Sequence, residues 1–107
     1  MPIGNELTSA NFDAEVKTAG CPVVVDFWAP DCAPCAMIEP VLTSVNDRLG
    51  DSVKIMSVNI QESRDLALRY GVRSIPTLLF FKGDKVLAQV VGNVDEKEIL
   101  TKIIPLL

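Results

Sequence analysis

The chain contains no histidine. That removes the commonest acid–base residue and the commonest metal ligand. Cations are also scarce: 10 Lys and Arg stand against 14 Asp and Glu, a net charge of −4. Nucleic acid and anionic membranes both require basic patches, so neither is expected as a partner. No apolar run approaches the roughly 18–20 residues of a membrane span. The opening "MPIGNELTSANF" lacks the basic and apolar regions of a signal peptide, and a cytoplasmic chain is expected. Repeats, linkers and low-complexity segments are missing too. Three cysteines do not make a disulfide framework. What remains is an ordinary globular composition, 49% apolar and 22% charged over 107 residues. That length suits one domain, 1–107, and is short for two.

The pattern along the chain alternates between strand and helix. "NELTSANFDAEVKTA" reads as a short extended lead and a helix. Thr8 or Ser9 is the expected N-cap, Phe12 and Val16 share one face, and Gly20 ends it. "CPVVVDFWA" is β-branched and reads as a central buried strand. "CAPCAMIEPVLTSVNDRLG" reads as a helix with Met37, Ile38, Val41, Leu42, Val45 and Leu49 near helical period. Gly50 is its stop, and Pro40 inside it predicts a kink. "SVKIMSVNI" is the next strand, and Ser63 can cap "RDLALRY" ahead of Gly71. "PTLLFFK" and "KVLAQVV" flank Gly83-Asp84, a hairpin signal. Asp95 with Glu98 resembles a capping box opening a last helix. The order β α β α β α β β α argues for an α/β fold: a mixed sheet with helices on both faces.

Two cysteines, Cys32 and Cys35, sit where the central strand gives way to the long helix. A Cys-x-x-Cys pair in that context reads as a redox motif. At a helix N-terminus, free N–H groups and the macrodipole stabilise a Cys32 thiolate. That thiolate can attack a partner disulfide, and Cys35, one turn on, can resolve the mixed disulfide. Pro34 fits a first helical turn, where its missing N–H costs nothing. A zinc half-site is the rival reading, but only Cys21 remains as a further ligand of the usual kinds. Two inert buried thiols are the other rival.

"VVVDFWAPDCAPC", "VRSIPTLLFFK" and "VVGNV" together resemble the thioredoxin family, and element order and length agree over essentially the whole chain. The resemblance implies a three-layer sandwich around a mixed sheet of about five strands. It implies that Cys32 is the exposed nucleophile and Cys35 the buried resolving thiol. It also implies that Asp26 lies beneath Cys35 and shuttles its proton, and that Ile75–Pro76 is a cis peptide facing the dithiol. Desolvation would raise the pKa of a carboxylate buried in an apolar strand and suit it to proton exchange near neutrality. A solvated Asp26 at a sheet edge is the plainer alternative, as is Pro76 merely opening a strand. The Ile75 backbone could pair with an extended substrate. Ile75, Pro34, Val91 and Gly92 could then form an apolar docking patch, although Val91 and Gly92 read locally as a core residue and a turn. Trp28, read alone, is a packed core aromatic, which the resemblance sets against the active site. Cys21 reads as a bystander.

The usual family active site is Trp-Cys-Gly-Pro-Cys-Lys. Here it is Asp31-Cys32-Ala33-Pro34-Cys35-Ala36, and Ser57 stands where many members carry a lysine near the buried Asp. Each lost cation, and the added anion, works against a thiolate. Asp31 is therefore expected to tune the Cys32 pKa. The expected function is a protein-disulfide reductase with no bound cofactor, working through a redox-active Cys32–Cys35 disulfide. Its expected partners are client proteins with disulfides and a thioredoxin-reductase-like flavoprotein, and the chain is expected to be a monomer. The alternatives are a docking subunit whose dithiol is dispensable and a glutaredoxin-like, glutathione-dependent reductase.

Overall fold

The computed structural model describes residues 3–107. Its strands are β1 (Asn5–Leu7), β2 (Val23–Trp28), β3 (Lys54–Asn59), β4 (Thr77–Lys82) and β5 (Lys85–Val91). Its helices are α1 (Phe12–Lys17), α2 (Ala33–Leu49), α3 (Arg64–Arg69) and α4 (Glu96–Ile103). The strands form one sheet in the order β1-β3-β2-β4-β5. β3 runs parallel to both β1 and β2, while β4 is antiparallel to β2 and to β5. The mixed sheet expected from the hairpin at the end of the chain is therefore present.

Successive side chains of a strand point to opposite faces, so each of β2, β3 and β4 serves two cores. On one face Val24, Ile55, Leu78 and Phe80 pack against Ile38, Leu42 and Val45 of α2 and Ile99 and Ile103 of α4. On the other, Val23, Val25, Phe27, Met56, Val58, Leu79 and Phe81 pack with Phe12 and Val16 of α1 and Leu66 of α3. β2 is central and almost wholly buried, which is why its sequence is a continuous β-branched run. Asp26 shares the parity of Val24, so its side chain projects toward the α2 face.

Three local expectations change. The N-cap of α1 is Asn11, not Thr8 or Ser9. Asn11 Oδ1 accepts the Thr8 N–H at 2.7 Å, closing a turn ahead of the helix, while the Ser9 hydroxyl donates to Asp65 at the start of α3. Met37 sits at helical spacing with the core positions, yet it is 66% exposed. Ser63 occupies the N-cap of α3 without making a side-chain capping bond. Asp95 does cap α4: its Oδ1 accepts the Glu98 N–H at 2.9 Å. Helix α2 runs unbroken through Pro40. Gly4 packs against β3 so closely that a Cβ there would meet Ile55 O at 1.8 Å, and its φ is +78°. Only glycine suits both conditions.

Candidate active site

Cys32 is the N-cap of α2, with extended backbone angles of φ −112° and ψ 101°. Its sulfur accepts the Cys35 N–H at 3.2 Å, the bond that a capping side chain ordinarily makes. The Ala36 N–H reaches Cys32 O at 3.1 Å and starts the helical ladder. Pro34 lies in the first turn, where no intrahelical donor is required. This local geometry turns the Cys32 sulfur toward the free amides at the start of α2. Cys32 and Cys35 form a disulfide, with their Cα atoms 5.2 Å apart. The two sulfurs are not equivalent: Cys32 is half-buried, whereas Cys35 is only 4% exposed.

A cleft of about 230 Å³ opens beside the disulfide. Asp26, Trp28, Ala29, Pro30, Asp31, Cys32, Cys35, Ala36 and Glu39 line it. The end of β2 thus supplies a carboxylate and an indole, and the start of α2 supplies both cysteines. Asp26 is 1% exposed, and neither carboxylate oxygen has a hydrogen-bond partner among the described residues. Burial raises its pKa from the ordinary 3.8 to about 7, and the Glu39 carboxylate adds to the rise. Ser57, directly opposite Asp26 in the β2–β3 register, is fully buried and brings no charge. Asp31 is exposed and holds a left-handed φ of 59°, unusual outside glycine and most tolerable for Asp and Asn.

The other expected site residues gather at the same end of the sheet. Phe27 pairs with Thr77, and Thr77 with Val91, so the start of β4 and the end of β5 flank the end of β2. Ile75–Pro76 is a cis peptide. Pro76 O accepts the Gly92 N–H at 2.8 Å, which ties the turn before β4 to the end of β5. Pro34 and Val91 are exposed, Ile75 and Gly92 half-buried, and Pro76 buried. None of these five lines the cleft beside the disulfide. Cys21 lies at the opposite end of β2, in a hollow with Lys17, Pro22 and Lys82, away from the exchange site. Glu39 was not expected here. Its signal was its place four residues after Cys35, which sets both on one helical face.

The thioredoxin family model matches residues 4–105. Thioredoxin 1 of Synechococcus elongatus is 44% identical over 94 residues, 88% of each chain. Thioredoxin C-2 of Corynebacterium nephridii is 47% identical over 85 residues, 79% of each. Thioredoxin of Chlorobaculum thiosulfatiphilum is 41% identical over 98 residues, covering 92% of this chain and 91% of that one. The similarity spans both sheet faces and the bonded cysteines alike, and on that ground the chain belongs to the thioredoxin family.

Proposed function

We propose that Cys32 attacks, Cys35 resolves and Asp26 carries the proton in the reduction of client-protein disulfides. The chain is a thiol–disulfide oxidoreductase. The observation that carries the division of roles is the asymmetry of the pair: a half-buried Cys32 at the helix N-cap and a buried Cys35 behind it.

In the reduced protein the Cys32 thiolate attacks one sulfur of a client disulfide. The client's other sulfur leaves as a thiolate and takes a proton from solvent. Asp26 accepts the Cys35 proton as the Cys35 sulfur attacks Cys32 Sγ. The mixed disulfide breaks, the client's second sulfur departs, and Cys32–Cys35 is oxidised while the client gains two electrons. A carboxyl whose pKa stands at about 7 is suited to hold or release a proton at neutral pH. The exposed Pro34 and Val91, the half-buried Ile75 and Gly92, Pro76, and Trp28 at the cleft form the client surface. An extended client segment pairs there with the Ile75 backbone.

The protein acts as a single-domain, cytoplasmic monomer with no bound cofactor, recharged by a thioredoxin-reductase-like flavoprotein. No helix among the described residues is long and apolar enough to cross a membrane. The test is insulin reduction with dithiothreitol as electron source. Cys32→Ser should abolish turnover, and Cys35→Ser should stall as a mixed disulfide on Cys32. Undiminished turnover in Cys32→Ser would leave a docking role as the better reading.

A further inference from the structure

The exchange site contains a second carboxylate. Glu39 lies one helical turn beyond Cys35, is half-buried, and lines the same cleft as Asp26, Cys32 and Cys35. The two acids come from different elements, Asp26 from β2 and Glu39 from α2. Around Asp26, β3 supplies the neutral Ser57 and β4 the apolar Leu78. The loop before α2 supplies another anion, Asp31. None of the described residues lining the cleft is a lysine or arginine. A carboxylate lining the same cleft as a buried carboxyl opposes its ionisation.

We propose that Glu39 is a positioning residue of the exchange reaction: its charge, in the cleft shared with Asp26, sets the pH at which Asp26 can take the proton of Cys35. The proposal rests on the role given above to Asp26. The chemistry is unchanged. Cys35 S–H gives its proton to the Asp26 carboxylate while its sulfur forms the bond to Cys32 Sγ and displaces the client sulfur. Glu39 takes no part in the making or breaking of the sulfur–sulfur bonds. It keeps Asp26 protonated to higher pH and makes the ionised Asp26 the stronger base. The direction of the Asp26 shift, raised by burial and further by Glu39, agrees with this arrangement.

The test is a pH profile of the resolving step. Reduced protein in a Cys21→Ser background is mixed in a stopped-flow instrument with dithionitrobenzoate. The second release of coloured thiolate reports Cys35 attack. In Glu39→Gln the acid limb should move down by about half to one pH unit, the effect of one carboxylate charge at intermediate dielectric. At pH 6 the variant should then reach about three- to fivefold more of its own plateau rate than the wild type reaches of its plateau. Damage to the fold would not produce that gain. Glu39→Asp keeps the charge and should keep the limb near its wild-type position. Asp26→Asn should lose the limb altogether. Coincident profiles for Glu39→Gln and wild type, with the limb lost in Asp26→Asn, would overturn the role of Glu39 and leave that of Asp26 intact. An unchanged profile in Asp26→Asn would overturn both.

Discussion

Replacing Asp26 by Asn should make the oxidised protein more stable at neutral pH, by an amount that grows as pH rises from 3 to 7. The buried carboxyl has its pKa raised from 3.8 to about 7, so the folded state binds its proton more tightly than the unfolded state does. Stability from this group is therefore fully present below pH 3.8 and is lost as pH rises toward 7. At about 1.36 kcal/mol per unit, the loss is near zero at pH 3, about 1.7 kcal/mol at pH 5 and about 4 kcal/mol at pH 7 and above. Asn carries no such dependence. Its amide adds a pH-independent cost of about 1–3 kcal/mol if it too lacks partners at this position. The assay is urea unfolding of both oxidised proteins from pH 3 to 9, followed by circular dichroism. The difference between the two curves cancels every other titrating group. That difference should swing by about 4 kcal/mol in favour of the variant across the range, whatever its offset. Parallel curves would refute the reasoning, because they would mean that the Asp26 carboxylate reaches water in the folded protein.

Other outcomes follow from the same geometry. In the reduced protein Cys32 should alkylate with iodoacetamide faster than Cys35 or Cys21, read by peptide mass mapping, since it alone combines partial exposure with the helix N-cap. Asp31→Asn keeps a side chain that tolerates the left-handed backbone and removes only the charge beside Cys32. It should lower the Cys32 thiol pKa at low salt, seen by thiolate absorbance, and raise the midpoint potential in glutathione buffers. Salt should shrink the effect, because Asp31 is exposed. Gly4→Ala should cost about 2–4 kcal/mol in urea unfolding, since its Cβ would overlap Ile55 O at an already left-handed position.

Much of the architecture was legible in the sequence because the two periods are strong. Val23 to Phe27 could only be an interior strand, and Ile38, Leu42 and Val45 recur with helical spacing. Gly83-Asp84 forced the antiparallel end of the sheet. The helix caps were less legible. Thr8, Ser9 and Asn11 are all good capping residues; the helix starts after Asn11, whose side chain bonds back to the Thr8 N–H, while Ser9 engages Asp65, distant in sequence. Met37 obeyed the period and still faces solvent, because it lies at the margin of the stripe set by Ile38, Leu42 and Val45. The cysteines and Asp26 announced themselves by interrupting apolar surroundings. Glu39 did not, since an acid on a helix ordinarily marks the solvent side. Only the cleft between β2 and α2 turns it inward. The left-handed backbone at Asp31 has no sequence signature apart from the residue's tolerance of it.

The disulfide closes a ring that spans only Cys32 to Cys35. Such a ring removes little freedom from the unfolded chain, about 2 kcal/mol on a loop-closure estimate, against about 4.7 for a hundred-residue loop. Folding and oxidation therefore form a thermodynamic cycle in which one leg, oxidation of the unfolded peptide, is nearly independent of the folded surroundings. The other legs are measurable. The difference in folding stability between the oxidised and reduced protein gives the gap between the potential of the folded dithiol and that of its unfolded peptide, at about 30 mV for each 1.4 kcal/mol. A pair of denaturation curves thus reads the reducing power of this chain relative to its own unfolded peptide, and any substitution around Cys32 can be weighed on the same scale.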